Sequence, residues 1–564
     1  MANTEEIVQY VLDCYENANS SYRATKLKEW EKWLKLALGK RSPTSFPFDG
    51  CSNVDLGTIP IHTKSLQSRL KMSIVGTDPI FQLTPTEERD VEGKQQREDT
   101  MSWLLTNHLI GKGERVGISP IVDAICYQSV VYGTCLTKIR WQTETQKKKI
   151  TPPNMGIFGV GEPMVVSEEV EKLKVDMLSL EDFFVPDDAE SIQTATYCIH
   201  RVYLTEQELK NRKSVYQNID EVEKWLEKEK EGTTSLEKIE GKEAKASQKK
   251  IEVIEFYGKY EGEEMIYTVA TKSKVLLRTT PLIDVYATNR RPFHRFVFED
   301  IGSFYGRGIP ELLEQSADAL NHIYNFSVNM GYYQMMPCGF IDENVEIPNF
   351  EFSLSPAKLT RINGNPHQSI MFLNYPTQSG VGQQFIGILN NFIERQTAIS
   401  SPMQGVETTE KKTATEIRTV IEEGNIRHND RIKSFQVEIS HFLKAIYRLY
   451  QQNIPEKLLM KIMGITRQQF QSGDEDFTIL GTLTSGNKVI EREDNMTLYS
   501  LLSQNPLIQQ DPDLNIDLLL NILQTFDKKG LVKKIEGIKD KMMEQQKMAQ
   551  LQEAIMSQTQ QPIS

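Results

Sequence analysis

The chain has 564 residues, of which 39% are hydrophobic and 25% are charged, and its formal net charge is −12. Such a length exceeds what one hydrophobic core can organise, so we expect about two to four globular domains, with enough apolar residues to fill them. The acidic balance, with a pI near 5.4, excludes a protein that grips nucleic acid over its whole surface and leaves only local or transient contacts with DNA.

The cysteine pattern argues against a disulfide framework and a zinc site. The six cysteines lie far apart without a C-x-x-C pair, at Cys14, Cys51, Cys126, Cys135, Cys198 and Cys338. Such thiols are typical of reduced, structural cysteines in a cytosolic compartment. The opening residues "MANTEEIVQY" lack the basic and apolar regions of a signal peptide, so we expect a protein that is made and used without secretion.

The N-terminal residues predict a helix. Asn3 followed by Glu6 is typical of a helix N-cap, and helical composition continues to about Leu38. The stretch "GKRSPTSFPFDG" then interrupts it with proline and glycine.

A second helix and several strands follow within the first 300 residues. In "ISPIVDAICYQSVVYG" we expect Ser119 as N-cap, Pro120 at the first helical position and Gly133 as the end. The segments "TCLTKIRWQTE", "VEKLKVDMLSL" and "KKIEVIEFYGKY" have the β-branched and aromatic content of strands. Residues 221–250 are highly charged and predict an exposed helix and a solvated loop. The N-terminal part is therefore predicted to be a mixed α and β domain.

Residues 319–341 form a run of 23 residues without Lys, Arg, Asp or Glu. A membrane span is disfavoured because the run contains several side-chain amides, each of which costs several kcal/mol in lipid when it has no partner. Asn321, Asn325 and Asn329 recur every four residues, so a helix would carry them as one polar stripe within an otherwise apolar surface. The pattern fits either a core helix of a large domain or a helix packed between identical neighbours, with the stripe facing a lumen.

Long helices also dominate the rest of the chain. Residues 338–376 are rich in Pro, Gly and Asn with short strand signals, and "VGQQFIGILNNFIERQTA" predicts a helix with Phe385, Ile388, Leu389 and Phe392 on one face.

Residues 399–412 predict a loop before a helix of about 40 residues. Thr413 and Glu416 supply its capping box and Gly424 is the predicted bend. A strand at 476–486, a final helical region and a tail rich in Gln and Met complete the chain.

No sequence motif indicates catalysis, a cofactor or a metal ion. "GTLTSGNK" resembles a phosphate-binding loop, but Asn487 stands where the lysine is required. "DPDLNIDLLLNI" has part of a calcium-loop spacing, but Ile522 occupies the position of the bidentate Glu. The histidines form no H-E-x-x-H pair, and lone ones such as His322 and His441 are predicted to pack structurally. We therefore expect no catalytic, cofactor-binding or metal-binding residues.

The order of elements resembles the portal proteins, or head-to-tail connectors, of tailed bacteriophages, and is most similar to those of short-tailed phages. The likeness rests on "DPIFQLTP", on "FYGRGIPELLEQSADALN" followed by a long helix ending in "MMPCGFI", on "TATEIRTVIEEGNIR" after a loop rich in Pro and Gly, and on "FTILGTLTSGNKVIERED". The resemblance implies an α+β, mainly helical portal fold that assembles as a cyclic ring, usually of twelve copies.

The resemblance also implies a division of the chain into portal regions. The wing would comprise residues 1–307 and 413–487, the stem helices 308–336 and 377–398, the clip 337–376, and the tunnel loop 399–412. The crown would comprise 488–540. Residues 541–564 would form a C-terminal helical tail, which is too short for the full barrel of some family members.

Candidate functional residues follow from this division. The channel-lining candidates are Asn321, Asn325, Asn329, Glu407, Glu410, Lys411 and Lys412. The candidates for a clip surface that docks the terminase or adaptors are Asp342, Glu343, Glu346, Lys358 and Arg361. Neutral amides suit a DNA conduit, because each fixed cationic contact to phosphate would hold the cargo back. The arginines of "NRRPFHRF", Arg290, Arg291 and Arg295, are predicted to be solvated or paired between subunits.

The implied function is a non-enzymatic structural ring at one capsid vertex, assembled in the host cytoplasm and retained in the virion, through which DNA is packaged and ejected. Its implied partners are further copies of the chain, the terminase large subunit, the major capsid and scaffolding proteins, tail adaptors, and double-stranded DNA bound without sequence specificity; no membrane partner is expected. The alternatives are a packaging enzyme, a membrane-perforating or ejected virion protein that uses residues 319–341, and a generic helical scaffold.

Overall fold

The computed structural model describes residues 4–45, 49–77, 79–86, 93–150, 164–223, 235–240, 250–260, 262–335, 339–341, 365, 370–372, 379–399, 414–471, 473–481, 496, 497 and 500. Side chains are described throughout these ranges except in parts of a few elements, among them residues 144–150, 164–169 and 414–429.

The described elements mix helices and strands, as predicted. The helices are α1 Thr4–Ala18, α2 Ser21–Ala37, α3 Thr58–Val75, α4 Lys94–Asn107, α5 Ile118–Tyr132, α6 Glu206–Asn211, α7 Ile219–Glu223, α8 Ser235–Ile239, α9 Leu282–Val285, α10 Ile309–Met335, α11 Ser379–Thr397, α12 Ala414–Asn453, α13 Glu456–Met463 and α14 Arg467–Gln471. The strands are β1 Phe81–Pro85, β2 Leu109–Ile110, β3 Thr134–Ile150, β4 Met164–Leu178, β5 Phe183–Phe184, β6 Tyr197–Thr205, β7 Lys250–Tyr260, β8 Glu263–Ala270, β9 Val275–Pro281, β10 Phe293–Val297, β11 Gly339–Ile341, β12 Ile370–Phe372 and β13 Glu475–Ile479.

The chain divides into two compact units. Unit 1 comprises Met1–Ser68 and Thr84–Phe477, and unit 2 comprises Arg69–Leu83 and Thr478–Ser564. Within unit 2 the described backbone of Leu480 donates a hydrogen bond to the carbonyl of Ile80 over 3.1 Å. Leu70 and Ile74, on the part of α3 that belongs to this unit, are buried.

A five-stranded sheet in unit 1, in the order β5-β6-β7-β8-β9, is covered on both faces. Along β7 the residues alternate between faces: Ile254 and Phe256 pack with the apolar side of α1, whereas Ile251 and Val253 pack with residues of α6 and α7. Because successive side chains of a strand point to opposite faces, one strand serves two cores.

A four-stranded sheet in unit 1 has the order β10-β3-β4-β2. Helix α5 leads into β3 through Gly133, whose φ is +79°. A Cβ at this position would lie 2.1 Å from the carbonyl oxygen of Gly306. Glycine is therefore required both by the left-handed conformation and by the close approach of the two backbones.

An ion cluster and a group of aromatic rings join the five-stranded and four-stranded sheets. Lys138 of β3 forms a buried ion pair with Glu255 of β7, and His200 Nδ1 lies 3.3 Å from the same carboxylate. Burial would raise the pKa of Glu255, but Lys138 and His200 outweigh it and hold that pKa well below its usual range. The ring of Phe293 packs edge-on against Tyr257, with centroids 4.9 Å apart.

The boundaries of the first helices differ from the prediction. The N-terminal helical segment is two helices, because Ser20 caps α2 by accepting a hydrogen bond from the Arg23 amide. Helix α5 begins at Ile118 after Gly117, which makes no side-chain cap, so the prediction of Ser119 as N-cap is wrong. Its predicted end at Gly133 is confirmed. Asn3 lies outside the described residues.

The predicted strands and the long helix are present. Strands β3, β4 and β7 coincide with the three predicted segments, and β3 and β4 extend further as a long antiparallel pair. Helix α12 runs for 40 residues and continues through Gly424. The predicted cap residue Thr413 and most of residues 221–250 lie outside the described ranges.

Candidate functional site on helices α10 and α11

Helices α10 and α11 pack against each other, and α10 carries most of the charge-free run identified in the sequence. Helix α10 begins at Ile309 with Pro310 in its first turn, where a missing amide hydrogen costs nothing. Ser316 Oγ donates to Gln396 Oε1 of α11 over 2.9 Å. Ile393 of α11 is buried in this contact region. The two helices therefore pack together as an antiparallel pair joined by buried and hydrogen-bonded side chains.

The outward faces of both helices are apolar and exposed. On α11 these side chains are Val381, Phe385, Ile388 and Phe392, with Ile388 62% exposed. Their spacing of three and four residues places them on one face. On α10, Phe326, Tyr332 and Met335 are at least half exposed as well. A soluble chain rarely exposes so many large apolar side chains on adjacent elements unless another surface covers them.

The asparagine stripe of α10 holds a segment of the same chain, residues 52–56, which we call the strap. Asn321 Oδ1 accepts from the Leu56 amide over 3.0 Å, and Asn329 Oδ1 accepts from the Ser52 amide over 2.7 Å. Asn321 and Asn329 are only 4% and 3% exposed.

Asn325, between them, pairs with the strap as a peptide group would. Its Oδ1 accepts from the Val54 amide over 2.8 Å, and its Nδ2 donates to the Val54 carbonyl over 2.8 Å. The same Oδ1 accepts from Ser52 Oγ over 2.6 Å. A single side-chain amide thus satisfies both backbone groups of one strap residue.

Ion pairs fix the first part of α10 in unit 1. Asp318 pairs with Arg41 at 2.9 Å, and Glu314 pairs with Lys32. Just before the helix, Glu299 binds Arg307 at 3.1 Å and Arg431 at 3.0 Å. Burial would raise the pKa of Glu299, but these two arginines outweigh it and lower that pKa. The charged start of α10 is anchored, whereas its charge-free end carries the exposed apolar face.

A groove of about 950 Å³ runs between the residues around the strap and the two helices. Its lining is mainly apolar and includes Phe326, Val328, Met330, Phe385 and Ile386. Such a lining suits apolar side chains of another protein surface better than a charged ligand. His322 also lines the groove and is exposed, so its predicted packing role is not observed.

The asparagine stripe was predicted to line a channel, and that role stays a prediction. In the single chain Asn321 and Asn329 are themselves buried, and their side-chain oxygens accept hydrogen bonds from the strap. The strap had no recognisable signal in the sequence, because its contacts join residues more than 260 positions apart.

The remaining predicted site residues lie outside the described residues. They are the tunnel-loop candidates Glu407, Glu410, Lys411 and Lys412, and the clip candidates Asp342, Glu343, Glu346, Lys358 and Arg361. The residues after Gly481 in the imperfect phosphate-loop motif and the whole imperfect calcium-loop motif lie outside them as well.

The arginines of "NRRPFHRF" differ from one another. Arg291 is buried, pairs with Glu264 at 3.1 Å and donates to the carbonyls of Ile192 and Ala195, so its predicted solvated or inter-subunit role is wrong. Arg295 donates to the Ser303 and Phe304 carbonyls within the chain. Arg290 is exposed, in agreement with a solvated arginine.

None of the described helices is long and apolar enough to cross a membrane. Comparison with curated proteins gives no match. A protein-family model described as the phage SU10 portal protein matches residues 155–563, which is well over half of the chain and includes both α10 and α11. The chain therefore belongs to the phage SU10 portal protein family.

Proposed function

We propose that the chain forms the portal ring at one capsid vertex of a tailed phage, of the short-tailed type, and that the ring is the channel for DNA packaging and ejection. The observation that carries this proposal is the exposed apolar face on α11 and on the charge-free end of α10. A closed cyclic assembly uses a head-to-tail interface, in which every copy covers the same surface of its neighbour. The paired helices are the surface that such an interface would cover.

The size of the uncovered face supports an interface between copies. Ile388, Phe385 and Phe392 are each at least half exposed in the single chain. Full burial of an exposed side chain of this kind is worth about 1.5–3 kcal/mol. About half of each side chain is still exposed, so covering the rest stabilises an assembly by about half of that amount for each residue, and each of the described outward residues of α10 adds to this. The gain recurs at every interface of a ring, so closed rings would be strongly favoured over single chains.

The finer division of the chain belongs to the same proposal. Helices α10 and α11 would be the stem, the residues between them the clip, and 399–412 the tunnel loop. The clip, through Asp342, Glu343, Glu346, Lys358 and Arg361, would dock the terminase large subunit and later the tail adaptors. The major capsid and scaffolding proteins would surround the ring.

The tunnel-loop charges would contact the DNA backbone without reading its sequence. Replacing both Lys411 and Lys412 with Ala should change DNA retention in filled heads and leave ring assembly intact. Unchanged retention would remove these lysines from the DNA path. The ring itself would carry out no catalysis, since the family is structural.

Native mass measurement of the purified chain tests the ring. Twelve copies of the 64.7 kDa chain give 12 × 64.7, or about 776 kDa. Ile388→Asp should shift the population towards single chains, because an unpaired carboxylate in the interface costs several kcal/mol at each contact.

Asn390→Asp is the matched control, since Asn390 is an exposed polar residue of the same helix. That variant should assemble as the unchanged protein does. A wild-type protein that forms only a small oligomer without a central hole would contradict the portal ring. Equal assembly of the Ile388 and Asn390 variants would show that α11 lies outside the interface.

A further inference from the structure

A second groove in unit 1, distant in sequence from the strap, carries an excess of positive charge. One side of the groove is formed by β10 and the residues just before it, and the other side by α12. Its volume is about 660 Å³. That volume falls within the range of small-molecule sites. The cationic side chains along it are Arg290, Arg291, Arg295, Lys444 and Arg448.

Three of these cations are balanced by carboxylates and two are not. Arg291 pairs with Glu264, and Lys444 and Arg448 pair with Asp474 at 3.5 and 2.5 Å. Arg295 donates to the Ser303 and Phe304 carbonyls, which carry no net charge. Arg290 forms no ion pair or hydrogen bond with any residue that the structure describes.

The carboxyl groups that line the groove do not remove this excess. Among the described lining residues they are Glu438 and Asp476, and Asp476 is exposed at the rim, where it pairs with Lys444. Burial raises the pKa of Glu438 to about 8, so this carboxyl keeps its proton to a higher pH than an exposed one. The described lining has five cationic side chains and two carboxyl groups, which leaves an excess of positive charge in the groove.

His294 supplies a buried polar atom without a partner. Its ring faces α12 and meets Phe442 with centroids 5.3 Å apart. Its Nε2 is buried, and within the described part of the chain no group bonds to it. Burial first, and then the nearby His441 and Arg290, lower the pKa of His294 to about 4. A buried nitrogen left unpaired costs free energy, which a ligand bound there would recover.

From this geometry we propose that the groove is a binding site for a phosphate group. Arg290 would donate to the phosphate oxygens from the rim, and His294, with its proton on Nε2, would donate from the floor. His441, which lines the same groove on α12, would be the third donor. The groove is larger than one phosphate ion, so the group can be carried by a nucleotide-sized molecule or belong to a nucleic-acid backbone.

Calorimetric titration of the purified full-length chain tests the site. The probes are inorganic phosphate and adenosine 5′-monophosphate at constant ionic strength, with chloride and adenosine as references. Arg290→Gln should weaken binding of both phosphate probes about tenfold, because it removes a charge-assisted hydrogen bond. His441→Gln, also at an exposed position, should weaken it in the same direction.

Arg115→Gln is the matched control, since Arg115 is an exposed arginine outside the groove. It should bind phosphate as the unchanged chain does. Phosphate that binds no better than chloride, or equal binding by the Arg290 and Arg115 variants, would overturn the proposal.

A single-stranded oligonucleotide separates the two sources of phosphate. If Arg290→Gln weakens binding of the oligonucleotide as well as the mononucleotide, the site accepts backbone phosphates. If it weakens only the mononucleotide and inorganic phosphate, the site takes free phosphate compounds. Neither result depends on ring formation, so the test is independent of the portal proposal.

Discussion

Replacing Asn325 by leucine should release the strap from α10. Leucine has the same branched arrangement of four side-chain heavy atoms as asparagine, but it offers no hydrogen-bonding atoms. The change removes the two bonds to Val54, the bond from Ser52 Oγ, and the 2.9 Å bond from Nδ2 to the Asn321 carbonyl. The backbone amide and carbonyl of Val54 lose their partners on α10 together.

The expected cost follows from these four bonds. A typical intramolecular hydrogen bond contributes about 1 kcal/mol net. Val54 is exposed and Asn325 is half-buried, so water replaces part of what is lost, and we expect about 2 kcal/mol. That free energy corresponds to roughly a 30-fold rise in the open population of the strap. Asn321 and Asn329 keep their own bonds, so the strap should open locally without global unfolding.

Hydrogen exchange of the peptide that contains residues 52–56 measures this opening. In the Asn325→Leu variant its exchange should be about 30-fold faster under native conditions. Asn390→Leu, the same change at an exposed asparagine of α11, should leave the strap protected. Equal protection of the strap in both variants would refute the reasoning, because the asparagine amides would then contribute nothing to holding it.

Two further predictions concern buried charges in unit 1. Arg291→Ala should destabilise the fold by about 3 kcal/mol in urea denaturation, because it leaves the half-buried Glu264 without its cation and several carbonyls without donors. A loss below about 1 kcal/mol would show that the pair is dispensable. Burial raises the pKa of Glu438 from its ordinary value of 4.5 to about 8, so the folded state binds the proton of this carboxyl more tightly than the unfolded state does. The stability that the bound proton contributes is therefore lost as pH rises from about 4.5 to about 8. Glu438→Gln retains an oxygen that accepts from the Val297 amide, but it has no proton to lose. Over that pH window the variant should become more stable than the unchanged protein, by roughly 2–4 kcal/mol at the upper end. Melting temperatures with the same pH dependence in both proteins would contradict this.

Local sequence signals predicted the elements that depend on local physics. Gly133 was recognised as a helix end because only glycine adopts the left-handed conformation there at no cost, and the structure adds a second reason in the approach of Gly306. The same signals misplaced the start of that helix, since Ser119 and Pro120 are as acceptable within a first turn as at its cap.

The candidate site was only partly predictable. The apolar face of α11 follows from the spacing of Phe385, Ile388 and Phe392, and the structure shows that this face is exposed. The role of the asparagine stripe did not follow, because helical spacing places three amides in a row but says nothing about what lies above them. The buried position of Arg291 was missed for a similar reason: its carboxylate partner and carbonyl acceptors come from distant parts of the chain.

The sequence by itself determined the type of most long elements, the lack of charge in residues 319–341, and the order of elements that resembles a phage portal protein. These depend on the periodicity and composition of consecutive residues, which a chain displays before it folds. Tertiary structure alone decided that the strap fills the asparagine stripe and that Arg290, His294 and His441 converge on one groove. Hydrogen bonds and charges act over a few ångströms in space, so their partners are set by the fold and not by separation along the chain.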